Sequence, residues 1–258
     1  MNKRYIKERR WLGYAVLLLC AVVFFCAIFT SVSPIKDMAL AISDGDGSET
    51  NPYIMTSVAD WKSVIDRASS ETNPTYVQLG ADITASGSFA INGAGDSISN
   101  GALNVPAGKY INLDLKNFKV NRGLKSGVAY GHVFVVYGNL TIDGETYKVA
   151  SDGKHTAGVV NNGGGITGGY TSAGEGGGGF YVPVGGTLIM NGGSIYNCYS
   201  SVNADAVGGG GGVHVRGKFI LNNGYIHDCA TYVGTTDGGA VAVGAASTTA
   251  TSGCGYFE

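Results

Sequence analysis

The feature that most constrains the fold is a stretch of sequence that occurs twice. Residues 176–182 recur 33 positions later as 209–215, and residues 187–198 recur 31 positions later as 218–229. Both copies alternate apolar and polar residues, and both are punctuated by glycine. A period of this length with a two-residue alternation is typical of a β-solenoid, in which each repeat stacks on the one before it.

The repeats can be aligned strand by strand. Two apolar places recur in three successive units: Leu140 and Ile142, Leu188 and Met190, Phe219 and Leu221. This recurrence predicts inward positions stacked on one sheet. A polar turn follows each strand, and we expect its Asn side chains to stack and hydrogen-bond along the axis. Hairpins also favour such turns, but antiparallel hairpins do not explain whole units returning in register. We therefore predict a coil with three strands per turn.

Residues 1–41 are expected to lie outside this fold. Basic residues precede an apolar stretch, 11–29, and the sequence at 39–41 (Ala-Leu-Ala) fits a cleavage site with small flanking residues. The apolar stretch is nearly as long as the ~20 residues that span a bilayer, so an uncleaved signal anchor is the alternative to a signal peptide. In either case residues 42 onward leave the cytoplasm, and the chain contacts a membrane only through 11–29.

Two segments precede the predicted strands. Residues 42–52 are acidic and are predicted to form a flexible linker; the calcium-loop spacing there is incomplete, so we expect no metal site. Residues 53–75 form a capping segment, in which a helix is predicted from Ser57, a good N-cap, to Ala68. Its apolar stripe is expected to cover the open end of the solenoid, where strand edges lack partners. The stripe comprises Val58, Trp61, Val64, Ile65 and Ala68.

The solenoid itself is predicted to occupy residues 76–258. A third glycine-rich unit begins at Gly238 and loses the repeat pattern after Gly244. Since no capping sequence follows before Glu258, we expect a C-terminally truncated β-helix. Cys198 and Cys229 occupy equivalent places in successive units and should stack one turn apart. A bridge fits that spacing, but Cys254 makes the count odd, and stacked thiols are the preferred interpretation.

Charge excludes one class of partner. Of the chain's 17 Lys and Arg residues 6 lie in residues 1–41, and of its 19 Asp and Glu residues 2 lie there, which leaves a net charge of −6 beyond residue 41. A chain this acidic lacks the basic surface that nucleic acids require. One basic stretch is interpreted as a solvated sheet face. It comprises Lys109, Lys116, Lys119, Arg122 and Lys125.

The glycine-rich repeats and the start of the fold together resemble a known group of proteins. The Gly-Gly-Gly-Val-x-Val segment at 210–215, the following 219–226, and the Gly-Gly-Ala-Val of 238–241 are similar to repeats of right-handed parallel β-helix proteins. That pectate-lyase-like group includes adhesin-like surface proteins of bacteria. The resemblance spans roughly residues 47–245 and implies an all-β, right-handed parallel β-helix in an exported protein. It does not imply one activity, because the group holds lyases, hydrolases, epimerases and non-enzymatic adhesins.

The repeats offer little support for catalysis. Glycosidases need two carboxyl groups ~5–9.5 Å apart, and the acids of the repeats, Asp205, Asp228 and Asp237, are not at equivalent stacked positions. His214 and Arg216 are expected to point outward on a solvated strand face. Asp114 and Lys116 are interpreted as a surface charge pair. We therefore predict no catalytic, cofactor-binding or metal residues, and no cofactor.

Exposed aromatic residues are the more informative feature. Tyrosines recur at outward or loop positions of the repeats, and a tyrosine offers a flat apolar face with a polar tip for sugar or protein contact. They are Tyr181, Tyr196, Tyr199, Tyr225 and Tyr232. The sequence thus favours an exported, non-catalytic surface protein that binds glycan or protein ligands along the coil. The alternatives are a polysaccharide lyase or glycoside hydrolase of the β-helix type, and the inert product of a degenerate gene.

Overall fold

Parallel strands dominate the computed structural model, which describes residues 44–69, 73–84, 103–144, 164–202, 209–232, 238–244 and 256–258. Within these ranges there are 21 strands and one helix, and every strand pairing is parallel. In the same ranges no helix has the length and apolar character needed to cross a membrane. The predicted leader, Asp205, Asp237 and Cys254 lie outside the described residues.

The strands form four sheets. Sheet A contains β1 (Tyr53–Met55), β2 (Thr75–Leu79), β5 (Tyr110–Asp114), β9 (Asn139–Asp143), β13 (Thr187–Met190), β17 (Lys218–Leu221) and β21 (Tyr256–Phe257). Sheet B contains β3 (Ile83–Thr84), β6 (Lys119–Asn121), β10 (Gly165–Thr167), β14 (Ser194–Tyr196) and β18 (Tyr225–His227). Sheet C contains β7 (Val128–Ala129), β11 (Tyr170–Ala173), β15 (Tyr199–Ser200) and β19 (Ala230–Thr231). Sheet D contains β4 (Leu103–Val105), β8 (Phe134–Val136), β12 (Phe180–Val182), β16 (Val213–Val215) and β20 (Val241–Val243).

From β5 onward the chain visits the sheets in the order A, B, C, D and then returns to A one strand further on, whereas the described residues of the first turn show strands of sheets A, B and D. The turns of the coil begin at β2, β5, β9, β13 and β17, and we number them 1 to 5. The prediction of three strands per turn was wrong. A corner with a positive φ separates sheet B from sheet C, at Asn197 (φ 49°) in turn 4 and Asp228 (φ 51°) in turn 5. Asn and Asp tolerate this left-handed conformation, and the pattern of apolar residues does not reveal it.

The predicted stacking is confirmed. Leu188 pairs in register with Leu140 on one side and with Phe219 on the other, and Met190 pairs likewise with Ile142 and Leu221. The antiparallel alternative is therefore wrong, and the structure is a coil of parallel strands. The paired residues Leu188 and Phe219 are 31 positions apart in the sequence, a separation consistent with parallel neighbours, which need a crossover rather than a tight hairpin.

Inward columns of side chains form one continuous core. On sheet D the rings of Phe134 and Phe180 stack with centroids 5.2 Å apart and planes within 10°. Sheet B contributes the column Val120, Ile166 and Ile195, all about 1% exposed. Each such buried side chain stabilises the fold by roughly 1.5–3 kcal/mol. Ordering each residue costs about 1–2 kcal/mol, so one turn alone cannot fold and stacked turns can.

The polar turns after sheet A form the expected ladder. The amide of Asn191 donates to the Asp143 carboxylate at 3.0 Å, and the amide of Asn222 donates to the Asn191 carbonyl oxygen at 2.8 Å. These contacts connect turns 3, 4 and 5 along the axis. They satisfy polar side chains that the parallel register brings together.

The predicted helix is confirmed as α1 (Val58–Arg67). The Asp60 carboxylate accepts hydrogen bonds from the backbone N–H groups of Thr56 and Ser57, both at 2.8 Å, which fixes the start of the helix. Trp61 is fully buried, its indole N–H donates to the Asn104 carbonyl at 2.9 Å, and its ring meets the Phe134 ring edge-on. The helix therefore packs its apolar stripe on the core at the first turns. Residues 44–52 form a turn at the edge of sheet A, where the Gly47 carbonyl accepts from the Tyr76 N–H at 2.9 Å.

Candidate binding surface

Three tyrosines meet on the outside of sheet C. Tyr170 and Tyr199 are paired in register on β11 and β15, and Tyr232 follows β19 directly. The ring centroids of Tyr170 and Tyr199 are 5.7 Å apart, those of Tyr199 and Tyr232 are 5.5 Å apart, and those of Tyr170 and Tyr232 are 5.8 Å apart. Tilted and edge-on rings at these separations attract one another. The result is a compact cluster, which we call the tyrosine cluster.

The corner between sheets B and C holds this cluster in place. At the same corner in turn 3 stands Gly168, with φ 74°, and a Cβ there would lie 2.2 Å from the Asn121 side-chain oxygen. Glycine is therefore required at that position. Asn197 and Asp228 make the same bend in turns 4 and 5. The repeated corner places Tyr170 and Tyr199 at equivalent positions on β11 and β15, whereas Tyr232 lies two residues after Ala230, the partner of Tyr199, and joins them from the end of β19.

The tyrosine cluster forms one wall of an open groove of about 490 Å³. The groove is lined by Asn121, Gly123, Leu124, Lys125, Thr167, Gly168, Tyr170, Asn197, Tyr199 and Tyr232. Its lining combines aromatic faces with amide and hydroxyl groups, and it contains one cation but no carboxylate. Burial raises the pKa of Tyr199, with further contributions from Tyr232 and neighbouring acidic groups, so this phenol stays protonated and can donate a hydrogen bond.

A second aromatic group lies on the neighbouring sheet B. The His227 ring stacks between two tyrosines, 5.3 Å from the Tyr196 centroid and 4.7 Å from the Tyr225 centroid. Its Nδ1 lies 2.7 Å from the Asp228 carboxylate, whose side chain is 71% exposed. Tyr225 is 36% exposed and Tyr232 is 61% exposed. Aromatic faces therefore continue on both sides of the corner in turns 4 and 5.

The outer face of sheet D is different, because its polar residues are buried. Tyr181 and His214 pair in register, point away from the main core, and are 6% and 1% exposed. The prediction that these two residues face solvent was wrong. The loop that contains Glu175 covers them: an Arg216 Nη1 donates to Glu175 Oε1 at 2.6 Å, and His214 Nε2 lies 3.7 Å from Glu175 Oε2.

Glycine allows that loop to approach the sheet. A Cβ on Gly177, whose φ is 84°, would lie 2.0 Å from the Phe180 carbonyl oxygen. Its own carbonyl lies 2.7 Å from Nδ1 of His132, which is fully buried and stacks on Tyr181 with centroids 5.6 Å apart. Arg122 is also buried, and its Nε donates to the His132 carbonyl at 3.3 Å. Arg122 is therefore not part of a solvated face, contrary to the interpretation of the basic stretch.

The polar residues under this loop form a group that we call the ionic cluster: Arg122, His132, Glu175, His214 and Arg216. Burial changes the pKa of two of them, His132 and Glu175. Burial lowers the pKa of His132 to about 4, an effect that the Gly177 carbonyl opposes and that His214 and Arg122 reinforce. Burial raises the pKa of Glu175, against the Arg216 guanidinium, which lowers it. At neutral pH the histidine is thus uncharged, and the Glu175–Arg216 pair is the charged contact that holds the loop on the sheet.

Two other members of the basic stretch form ion pairs at the surface. Lys116 pairs with Asp114 at 2.9 Å, as expected, and Lys119 pairs with Asp82 at 3.3 Å. Asp114 is also paired in register with Asp143 on the next strand of sheet A. Both line a groove of about 420 Å³ with Glu49, Tyr76 and Asn112. Two carboxylates thus occupy equivalent stacked positions, and sequence reasoning, which compared only the later repeats, missed this pair.

Among the described residues, no three His, Cys, Asp or Glu side chains are grouped so that they could hold a metal ion. Tyr170 was also missed, although a signal existed: the spacing from Gly168 to Tyr170 matches that from Asn197 to Tyr199. Glu175 carried no such signal, because it lies in a loop between repeats. A comparison of the chain with protein-family models, with curated proteins and with solved structures finds no match.

Proposed function

We propose that this protein is an exported, non-catalytic surface protein that binds glycans in the groove beside the tyrosine cluster. The resemblance of its repeats to pectate-lyase-like proteins supports a right-handed coil, and the basic and apolar leader supports export, with contact to a membrane through residues 11–29. The described part of the coil then stands outside the cytoplasm.

The tyrosine cluster is the observation that carries the proposal. Sugar rings present C–H faces that pack on aromatic rings, and their hydroxyls need donors and acceptors at the edges. Tyr170, Tyr199 and Tyr232 supply the rings, while Asn121, Asn197 and Thr167 supply polar groups around them. Because the groove is open and follows the coil across turns 2 to 5, it suits a chain-like ligand that gains affinity from several weak contacts.

Binding of the purified full chain to a panel of neutral and acidic polysaccharides tests the proposal. We expect retention on at least one polysaccharide, and we expect Tyr199→Ala to weaken it about tenfold, which corresponds to ~1.4 kcal/mol. Tyr110→Ala is the matched control, because Tyr110 is a half-buried outward tyrosine on sheet A. Equal losses for both variants, or no binding to any polysaccharide, would contradict the proposal.

The Asp114–Asp143 pair is the reason to keep hydrolysis or lysis of a polysaccharide as a second candidate function. Stacked carboxylates in a groove are the arrangement that glycosidic cleavage uses. Against this candidate, Asp114 pairs with Lys116 and Asp143 accepts a hydrogen bond from the Asn191 amide, so both carboxylates are already engaged. Release of reducing or unsaturated ends by the wild type, abolished in Asp143→Asn, would establish the enzyme and displace the binding function.

A further inference from the structure

Two cysteines lie in contact beneath the corner that carries the tyrosine cluster. Cys198 and Cys229 directly precede the paired residues Tyr199 and Ala230, so they occupy the same place in turns 4 and 5. The Ala230 N–H donates to the Cys198 carbonyl at 3.2 Å. Both residues are free thiols, and the paired backbones place them one strand spacing apart.

The backbone spacing at this place is compatible with a disulfide. Neighbouring strands are ~4.8 Å apart, within the ~4.4–6.8 Å between Cα atoms that a disulfide tolerates. The two thiols have matching orientations: Cys198 Sγ lies 3.3 Å from the Tyr196 carbonyl, and Cys229 Sγ lies 3.3 Å from the His227 carbonyl. Each sulfur therefore points in the same direction relative to its own turn, and Cys229 Sγ is stacked above Cys198 Sγ along the axis of the coil.

The two thiols differ in access. Cys198 is fully buried, whereas Cys229 is half-buried. Contact with Cys198 lowers the pKa of Cys229, and burial raises the pKa of Cys198. A reagent from solvent thus meets Cys229 first, as the more acidic thiol, and Cys198 is placed behind it as the resolving thiol.

We propose that Cys198 and Cys229 are an oxidation site, at which a small-molecule disulfide converts the two thiols into an intrachain bridge between turns 4 and 5. The Cys229 thiolate attacks one sulfur of the reagent, breaks its S–S bond and releases the first thiolate. The Cys198 thiolate then attacks the Cys229 sulfur and releases the second. The two protons lost by the cysteines are taken up by the two released thiolates, so one disulfide is reduced and one is formed.

The bridge would act on the least buried turn of the coil. Ile226, Cys229 and Val241 in turn 5 are half-buried, whereas their partners in turn 4 are at most 1% exposed. A covalent link to turn 4 removes conformations that turn 5 gains when it unfolds. Oxidation should therefore raise the Tm of the protein by about 5 °C or more. The inference does not depend on what the groove binds.

The full chain, incubated with oxidised glutathione and then alkylated, tests this site. Chymotryptic cleavage near Tyr232 separates Cys229 from Cys254, so mass spectrometry of the wild type identifies the bridge without any substitution. We expect peptides joined through Cys198 and Cys229, and separation of that pair by dithiothreitol. Alkylation of both cysteines, a glutathione adduct on each, or a bridge from Cys229 to Cys254 would overturn the proposal.

Thermal unfolding of Cys198→Ser gives the second readout. Without the resolving thiol, Cys229 should keep one glutathione, and the oxidant should leave the Tm of the variant unchanged. An equal oxidant-induced rise in Tm in the wild type and in Cys198→Ser would also overturn the proposal, because the rise would then have another source.

Discussion

The outer faces of sheet C and sheet D carry similar side chains, but these are exposed at the edge of sheet C and buried under a loop on sheet D. At the corner of sheets B and C, Tyr232 is 61% exposed and the Asp228 carboxylate beside His227 is 71% exposed, although the His227 side chain itself is 13% exposed. On sheet D, Tyr181, His132 and the Glu175–Arg216 pair are covered by a loop. The same groups can thus serve ligand contact where they are open and stability where they are covered, since interactions between charges strengthen as water is removed.

Acidification should destabilise the covered face of sheet D, and this is the largest change in the free energy of unfolding that we expect. The pKa of His132 is about 4 in the folded protein and 6.5 when exposed, so the unfolded chain binds this proton more readily. The contribution of the uncharged His132 to the free energy of unfolding is complete above pH 6.5. About 3 kcal/mol of it is lost as the pH falls towards 4. Glu175 opposes this, because its raised pKa makes protonation easier in the folded state.

Urea unfolding between pH 7 and 4 measures that loss. His132→Asn keeps a donor for the Gly177 carbonyl but does not titrate, and it should flatten the pH dependence even if it lowers stability throughout. An unchanged slope in this variant would show that other groups control the acid response.

Removing the cation from the covered face should have the next largest effect. Arg216→Met leaves the Glu175 carboxylate without its 2.6 Å partner, and both side chains are only 17% exposed. We expect a loss of about 2 kcal/mol in the free energy of unfolding, somewhat below that of fully buried pairs. The Glu175→Gln/Arg216→Met double variant should recover part of it. Polysaccharide binding should not change.

On the open face, we expect a substitution to weaken polysaccharide binding rather than to lower the free energy of unfolding. Tyr232 is 61% exposed, so Tyr232→Ala should change the free energy of unfolding by less than ~0.5 kcal/mol. Its ring closes the tyrosine cluster, and its loss should weaken polysaccharide retention about fivefold to tenfold. A variant that loses stability but keeps its retention would reverse the roles that we assign to the two faces.

The smallest effect is expected for the exposed counterpart of the Glu175–Arg216 pair. Asp228→Asn removes the charge beside His227 but keeps a side chain that tolerates φ 51°. Exposed pairs contribute roughly 0–1 kcal/mol, so the Tm should fall by about 4 °C or less. A loss equal to that of Arg216→Met would remove the contrast between the faces.

Sequence patterns predicted the coil and the register of its strands, but they did not predict the number of strands in a turn. Leu188 over Phe219 followed from the repeat, because an inward position must be apolar in every turn. The corner at Asn197 was missed, since Asn in the left-handed region looks like any other turn residue. Ser57 and the apolar stripe located the capping helix within one residue at each end, because capping and helical periodicity are local.

The candidate site was only half accessible to sequence reasoning. Tyr199 and Tyr232 were expected on an outer surface, but their proximity to Tyr170 follows from the parallel pairing of β11, β15 and β19 within sheet C. His214 and Tyr181 were expected there too, and both are buried. Alternation along a strand separates inside from outside of the coil, but it does not show which outer positions a loop covers.

The repeat alone was sufficient to establish parallel stacking, the inward columns and the polar ladder, because each follows from identical residues returning at a constant interval. The ionic cluster arises where a non-repeating loop meets the coil. Glu175 lies 41 residues from Arg216 and outside the repeated pattern, so only packing in three dimensions brings them together. Covering one face and leaving another open is a property of those contacts, and it separates the covered face of sheet D from the open face on which we propose binding.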